Sequence, residues 1–287
     1  MRRIATFLGV LTLVVVFASV GSYHRHAYAA QNANWNAGPC NGDQGNTHNN
    51  SFWGRQERVC ELRKTTIKLG GQRLGVKSEN GGIEVSGADR SDVQIEARVE
   101  AWASSEADAK KLLTQVTIDT SGDRIRDDGP HFRRGNSGYS VNYRLLVPRQ
   151  LAVDLNSTNG GIDIANLEGE IRFDTTNGGV DLKNLAGDVR GSTTNGGLDI
   201  TLGGKSWRGQ GLDAETTNGG VTLRIPEHYA AHLETGTVNG GISLNFPITI
   251  QGDIKNRLST DLNGGGPTIR AETTNGGVQV DRARGAE

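Results

Sequence analysis

The chain has 287 residues, 22% of them charged, and a formal net charge of −1. This balance gives the protein no general electrostatic attraction to nucleic acid or to an anionic membrane. Glycine is abundant at 41 residues while aromatic residues make up only 5%, which favours a thin, turn-rich fold over a thick α/β enzyme.

The first segment predicts export. Two arginines follow Met1, residues 4–20 form an apolar run without a charge, and Ala27-Tyr28-Ala29 presents the small residues that a signal peptidase reads. We therefore interpret residues 1–29 as a signal peptide and expect an extracytoplasmic protein, located in the periplasm, in the cell envelope or outside the cell. An uncleaved membrane anchor is the alternative, because the apolar run is close to the minimum length that spans a bilayer.

Residues 30–59 form a polar segment that we expect a disulfide to close. Cys40 and Cys60 are the only two cysteines, and an exported protein meets an oxidising compartment. In the chain-entropy model such a loop closure stabilises the fold by about 3 kcal/mol. Metal binding by the pair is the weaker alternative, since no histidine or further cysteine stands at ligand spacing beside them.

Residues 60–150 predict an α+β section that caps the rest of the chain. Alternation of apolar and polar residues over 93–99 indicates a half-buried strand. Ser105 and Asp108 then resemble a capping box, which predicts a helix ending at about Gln115. Further strands are expected over 116–120 and 139–147.

An Asn-Gly-Gly triplet recurs along the chain, and its spacing predicts the architecture. The triplets begin at Asn80, Asn159, Asn177, Asn195, Asn218, Asn239, Asn263 and Asn275. Three of them follow one another at intervals of 18 residues, and a short fixed period is typical of stacked structural repeats. We predict an all-β fold in which residues 151–287 form a parallel β-solenoid with coils of roughly 18–24 residues. The glycines are expected to supply the positive φ of sharp corners.

Matching positions of the coils predict which side chains face inward. Ile162, Val180 and Leu198 form one apolar row and Ile164, Leu182 and Ile200 form a second. Residues two apart on a strand point the same way, so both rows should face the core. The residues between them should face outward, one coil apart, as a possible ligand-facing row of Asp163, Asp181 and Asp199.

Carboxylates in a row could bind Ca²⁺, which prefers oxygen ligands. The spacing departs from that of calcium-binding β-roll repeats because the third glycine is missing. We therefore predict no cofactor and no metal, with calcium left as an alternative, and expect Lys183, Arg172 and Arg190 to offset the repulsion within the row.

Two other polar patterns have structural or chemical interpretations. A threonine directly precedes the asparagine of most triplets. The side chains of each Thr-Asn pair are expected to bond along the solenoid axis rather than to a ligand.

His228 and His232 are spaced as zinc ligands on a helix, but Pro226 and the neighbouring strand pattern argue against a helix there. A nucleophile with a plausible base and a phosphate-binding glycine loop are also missing from the sequence, so we predict that the protein is not an enzyme.

The repeats resemble the bacterial "putative adhesin" domain family of unknown function. The resemblance rests on residues 156–164, which read Asn-Ser-Thr-Asn-Gly-Gly-Ile-Asp-Ile, on Leu145-Leu146-Val147-Pro148, and on residues 262–266. It extends over roughly residues 60–282 and implies an extracytoplasmic β-solenoid-like fold without catalytic residues. The adhesin name in that family follows largely from its fold.

These patterns together predict a non-catalytic exported envelope or secreted protein. An adhesin-like solenoid face would bind a cell-surface protein or polysaccharide, with no nucleic acid partner and with membrane contact only if the leader is uncleaved. Two alternatives stay open. One is a carbohydrate-active β-helix enzyme, which would need a cleft of convergent acids, and the other is a structural scaffold that self-associates through its ends.

Overall fold

The computed structural model describes Cys40 and residues 56–130, 136–246 and 256–283. The predicted signal peptide and most of the polar segment at 30–59 lie outside these residues. The first part of the described chain contains β1 (Glu57–Ile67), β2 (Arg73–Asn80), β3 (Ile83–Ala88), β4 (Val93–Ala103), α1 (Glu106–Gln115), β5 (Thr117–Asp119), β6 (Arg124–Asp128) and β7 (Gly138–Pro148).

The repeats follow as pairs of strands, usually a longer one and then a shorter one. The pairs are β8 (Ala152–Asn159) with β9 (Ile162–Ala165), β10 (Glu168–Asn177) with β11 (Val180–Lys183), β12 (Ala186–Asn195) with β13 (Leu198–Thr201), β14 (Gly211–Asn218) with β15 (Val221–Ile225), β16 (Ala231–Asn239) with β17 (Ile242–Asn245), and β19 (Thr268–Asn275) with β20 (Val278–Arg282). A single strand, β18 (Arg257–Leu262), precedes the last pair.

These strands form two ten-stranded sheets around one core. Sheet A has the order β1-β4-β7-β3-β9-β11-β13-β15-β20-β17, and sheet B has the order β18-β16-β19-β14-β12-β10-β8-β2-β6-β5. Each coil contributes its longer strand to sheet B and, after the Asn-Gly-Gly corner, its shorter strand to sheet A. The fold is thus the all-β, solenoid-like architecture that the repeat predicted.

The coils pair in parallel and in register, which stacks like residues on like. Val180 lies between Ile162 and Leu198. Leu182 likewise lies between Ile164 and Ile200. All six residues of the two predicted inner rows are buried, none more than 2% exposed. The inward assignment of these rows is therefore confirmed.

The stacking order of the coils differs from their order in the chain. The β2–β3 pair, which we placed in the capping section, stacks on β8–β9 as the first coil of the solenoid. The last pair, β19–β20, inserts between β14–β15 and β16–β17. Spacing along the chain could not show this order, because it follows from contacts between residues far apart in sequence.

The two ends of the stack are finished by elements outside the repeat. Helix α1 begins after Ser105, whose Oγ accepts the backbone N–H of Asp108 at 3.1 Å, and its buried residues Ala109 and Leu112 pack on the core. At the other end β18 pairs antiparallel with β16. A turn after β18, around Gly264-Gly265-Gly266, leads the chain into β19.

The corner glycines serve close approach of the coils rather than positive φ. Among the triplets that stack, only Gly81 has a φ in the left-handed region, at 144°. A Cβ built on Gly178 would lie 2.1 Å from the carbonyl oxygen of Gly160, and one built on Gly196 would lie 1.9 Å from that of Gly178. Our expectation of positive φ was wrong for these corners. Glycine is needed there because the backbone of the neighbouring coil leaves no space for a Cβ.

Seven of the eight triplets align their asparagines in one hydrogen-bonded row, which we call the asparagine ladder. In each step Nδ2 donates to Oδ1 of the next asparagine at 2.7–3.0 Å. In spatial order the ladder contains Asn80, Asn159, Asn177, Asn195, Asn218, Asn275 and Asn239. The amides bond along the axis, as predicted.

The hydroxyl groups that bond along the axis are not those of the Thr-Asn pairs. Thr176 and its equivalents next to each asparagine are exposed. The buried residue one place earlier donates instead, as Thr175 Oγ1 does to the Gly160 carbonyl at 2.8 Å and Thr193 Oγ1 does to the Gly178 carbonyl at 2.8 Å. Strand alternation explains the difference, since only every second residue faces the interior.

Candidate functional site

The predicted aspartates form the centre of a row of carboxylates on the outer face of sheet A. Asp181 pairs in register with Asp163 on one side and with Asp199 on the other. The row continues to Glu84, which pairs with Asp163. We call Glu84, Asp163, Asp181 and Asp199 the carboxylate row.

Sequence reasoning missed Glu84, although a signal was present. The triplet at Asn80 is followed by Ile83-Glu84-Val85, the same apolar–acidic–apolar pattern as in the later coils. The triplet was assigned to the capping section, and its acid was therefore left out of the row.

Arginines close the carboxylate row at both ends. Arg144 Nε lies 3.0 Å from Glu84 Oε2, and Arg224 forms an ion pair with Asp199. The predicted neutralisation by Arg172 and Arg190 was wrong, because both side chains lie on sheet B and pair with Asp188. The two central aspartates have no ion pair of their own within the described residues.

The central carboxyl groups titrate near neutral pH. Burial, together with the neighbouring carboxylates of Asp181 and Glu84, raises the pKa of Asp163 to about 7. Burial also raises the pKa of Asp181 to about 6, helped by Asp199 and opposed by Arg224 and Lys183. Asp163 and Asp181 are therefore half-buried and only partly ionised near neutrality.

We expect this row to make the protein less stable as the pH rises. A carboxyl group whose pKa is higher in the folded state contributes its full stability below its unfolded pKa and loses it as pH rises through the folded value. Between about pH 5 and pH 8 the free energy of unfolding should fall by roughly 1–3 kcal/mol from this source. Urea unfolding at several pH values measures it.

Variants separate the row from other groups that titrate in this range. Asp127 and His232 also have raised pKa values, so wild type alone does not isolate the row. Asp163→Asn/Asp181→Asn should flatten the pH dependence, whereas Asp154→Asn, on the exposed face of sheet B, should leave it unchanged. An unaltered slope in the double variant would show that the row does not titrate as described.

The positions that flank the carboxylate row on its N-terminal side are glycines, which carry no side chain. Strand alternation places Gly161, Gly179 and Gly197 on the same outer face, two residues before the aspartates. On the opposite side of the row the equivalent positions hold Ser86, Ala165, Lys183 and Thr201, of which only Lys183 is a long side chain. On the glycine side the acids thus stand beside a shallow strip of backbone that a flat or linear ligand could reach, and on the other side Lys183 adds one positive charge next to Asp181.

No group of three or more metal-binding side chains converges within the described ranges. The acids of the carboxylate row lie along a line, about 4.8 Å apart from strand to strand. They therefore do not surround one position in which a metal ion could be coordinated. The absence of a cofactor stays a prediction.

A second group of acids lies in a cavity at the β5–β6 edge of sheet B, where Asp127 on β6 is outside the repeat register. The cavity has a volume of about 480 Å³, and its lining includes Glu79, Asp127 and Tyr139. Burial raises the pKa of Asp127 to about 6, and the Tyr143 hydroxyl donates to it over a long 3.4 Å. A carbohydrate-active enzyme would need convergent acids in such a cavity, and here Lys77 and Arg126 line it together with the acids.

The structure also brings together four residues that the sequence did not connect. His232 Nδ1 lies 2.7 Å from Asp261 Oδ1, and His232 Nε2 lies 3.3 Å from Ser259 Oγ. Glu234 Oε1 also lies 3.4 Å from His232 Nε2. The Asp261 side chain is 65% exposed. These are contacts of polar side chains on a sheet surface, without an enclosing pocket, and His228 lies in a turn as the proline predicted.

The predicted disulfide is present. Cys40 and Cys60 are bonded, with their Cα atoms 5.7 Å apart, and the bond attaches the chain at Cys40 to β1. Disulfides persist mainly in oxidising compartments, which favours an extracytoplasmic location. Over the ranges described, no helix has the length and apolar character needed to cross a bilayer.

Comparison with known proteins identifies the family. A family model described as Toastrack DUF4097 matches residues 40–281. The chain belongs to this family. The match begins at the first cysteine of the disulfide and ends in β20, so the Toastrack region includes every coil of the solenoid.

Solved structures with a similar fold are distant. A "putative cell adhesion protein" from Clostridium sporogenes is 11% identical, with 78% of this chain and 100% of that chain covered and a TM-score of 0.45. A "putative adhesin" from Bacteroides fragilis is 10% identical, with 78% and 97% covered and a TM-score of 0.33. No curated protein matches the sequence.

Proposed function

We propose that this Toastrack protein is a non-catalytic, exported, adhesin-like protein that uses the carboxylate row to bind a polysaccharide of the cell surface. The observation that supports the proposal is the register of the coils. It repeats one carboxyl group from strand to strand, at about 4.8 Å, along a rigid sheet. A polymer that repeats its own hydrogen-bonding groups can contact such a row at several points, and each added contact raises the overall affinity.

The chemistry of the row suits hydroxyl groups. An ionised carboxylate only accepts hydrogen bonds, whereas a protonated carboxyl group also donates one. The pKa values of about 7 for Asp163 and about 6 for Asp181 mean that both forms are populated near neutral pH. Sugar hydroxyls also donate and accept, so the row can match them in either protonation state.

Export is supported by the disulfide and by the predicted signal peptide. The adhesin description follows from the resemblance of the repeats to the family of that name. A cell-surface protein is the other partner that such a face could bind, and it is an outcome of the test rather than a second proposal.

Binding to a panel of polysaccharides tests the proposal. The mature protein would be mixed with insoluble neutral, acidic and amino-substituted polysaccharides, and the bound fraction would be measured by co-sedimentation. Asp163→Asn/Asp181→Asn should weaken binding at least tenfold, equivalent to about 1.4 kcal/mol. The matched control, Asp154→Asn/Asp174→Asn on the exposed face of sheet B, should bind as wild type does.

Other outcomes would contradict the proposal in distinct ways. Equal loss in both double variants would indicate general electrostatics instead of a site on sheet A. Release of reducing ends during incubation would indicate an enzyme, and Asp127 would then be the first residue to replace. If no polysaccharide sediments the protein, the partner is not a glycan, and cross-linking on intact cells would identify a protein.

A further inference from the structure

Seven triplets share the sequence Asn-Gly-Gly but have different positions in the stack. We propose that Asn239, at the open end of the asparagine ladder, is a site of spontaneous deamidation, and that the fold protects the asparagines within the ladder from the same reaction. The proposal concerns covalent modification of the chain and does not depend on the proposed function.

The reaction needs only the Asn-Gly pair and water. The backbone nitrogen of the glycine loses its proton and attacks the side-chain carbonyl carbon of the asparagine. A new C–N bond forms, the side-chain nitrogen leaves as ammonia, and the product is a cyclic imide. Water then opens the ring and leaves either aspartate or isoaspartate. Asparagine is among the thermolabile residues for this reason, and glycine adds no side chain that would hinder the attack.

Within the ladder both reacting groups are held. The nitrogen of Gly178 donates its proton to the Asn195 carbonyl at 3.1 Å. The side chain of Asn177 donates to Asn159 and accepts from Asn195, each at 2.9 Å. Attack would require all of these bonds to break in a local opening of the stack.

The same backbone bond recurs through most of the ladder. The glycines that follow Asn80, Asn195, Asn218 and Asn275 also donate to the asparagine carbonyl of the neighbouring coil, at 3.0–3.1 Å. With Asn177 this gives five asparagines whose following glycine is bonded in this way, and each of these glycines is half-buried. They are Asn80, Asn177, Asn195, Asn218 and Asn275. Asn159 lacks this backbone bond within the described residues, but its Oδ1 accepts from Asn177 at 2.9 Å and Gly160 is half-buried, which separates it from Asn239.

Asn239 differs because its coil is the last one in the ladder. Its Nδ2 donates to Asn275 at 2.7 Å, but no described residue donates to its own Oδ1. Gly240 is exposed, unlike the five glycines above, and its N–H has no acceptor within the part of the chain that the structure describes. The preceding residue, Val238, is 66% exposed. The attacking nitrogen and the target carbonyl are therefore open to solvent and base.

The product would weaken the next step of the ladder. An aspartate at 239 cannot donate to Asn275 Oδ1, and its carboxylate faces that oxygen instead. Isoaspartate also lengthens the backbone and displaces the Asn239 carbonyl, which accepts the Gly276 N–H at 3.1 Å. The pair Asn275-Gly276 then takes the position of an open end. We expect deamidation at Asn239 first and at Asn275 only afterwards.

Peptide mapping by mass spectrometry tests the proposal. The full chain would be incubated at mildly alkaline pH, either folded or in urea, and the deamidated fraction of each triplet would be followed with time. In urea the seven sites should react at similar rates, because glycine follows each asparagine and the fold no longer distinguishes them. In the folded protein Asn239 should react at least about tenfold faster than Asn177 and Asn195, since these need a local opening. Similar rates at the three sites in the folded protein would overturn the proposal.

A variant tests the order of events. Asn239→Ala cannot deamidate, and although it lacks the Nδ2 donor to Asn275 Oδ1, as the aspartate product does, it keeps the undisplaced backbone carbonyl that holds the Gly276 N–H. Deamidation at Asn275 should therefore be slower in this variant than in aged wild-type protein. If Asn275 reacted equally fast in both, reaction at the open end would not be what exposes it. Asn263, whose Nδ2 donates to the Tyr229 carbonyl at 3.0 Å, lies in a turn outside the ladder and is not part of the comparison.

Discussion

Gly178→Ala is expected to destabilise the protein by about 3 kcal/mol or more, because overpacking against rigid backbone leaves little room for relaxation. The new Cβ would lie 2.1 Å from the carbonyl oxygen of Gly160 and 2.4 Å from its carbonyl carbon. Both atoms belong to the adjacent corner of the stack, so the coils themselves would have to separate. Urea unfolding of the variant measures the effect.

The next residue is a matched control. A Cβ on Gly179 would find its nearest neighbour, the Gly197 carbonyl oxygen, at 3.5 Å, which is an ordinary contact. Neither glycine has a φ in the left-handed region, so backbone strain does not distinguish them. Gly179→Ala should change stability by no more than about 0.5 kcal/mol. Equal destabilisation by the two substitutions would mean that the corners are not packed as described.

Leu182→Ala should lower the free energy of unfolding by about 2–5 kcal/mol, through lost burial and the cavity left behind. The side chain is 1% exposed and stacks between Ile164 and Ile200. Thermal and urea unfolding provide the measurement. The adjacent substitution, Asp181→Asn, should not destabilise the protein, and above about pH 7 it should stabilise it, because it removes a carboxylate whose burial is unfavourable.

Comparison of these two neighbours tests the inside and outside assignment. If Asp181→Asn lowered the melting temperature as much as Leu182→Ala, both side chains would have to contribute to the core, and the strand register would be wrong.

The period of the triplets was sufficient to predict the fold class and the two faces of the central coils. A spacing of 18 residues brings Asp163, Asp181 and Asp199 to one position of successive coils, and alternation decides which neighbours are buried. The helix after Ser105 and the disulfide were likewise predicted from short-range signals, a capping pattern and a pair of cysteines. In each case the information lies within about one repeat of the residue concerned.

What the sequence did not reveal depends on contacts between distant segments. Placing β19–β20 before β16–β17 requires knowing which edge each coil pairs with. The contact of His232 with Asp261 depends on β18 folding back antiparallel, and no motif marks it. The raised pKa of Asp163 depends on how deeply the row is embedded between neighbouring strands. These properties arise from packing between distant segments, and the motifs and spacings of the sequence do not reveal them.

The most direct test of the proposed binding face is carboxyl footprinting. The protein would be treated with a water-soluble carbodiimide and an amine, with and without the polysaccharide that binds best, and labelling would be measured by mass spectrometry. The ligand should reduce labelling at the carboxylate row, Asp163 and Asp181 above all, and leave Asp154 and Asp174 unchanged. Protection of Asp154 and Asp174 instead, or of Asp127 in the cavity, would contradict the assignment of the binding face to sheet A.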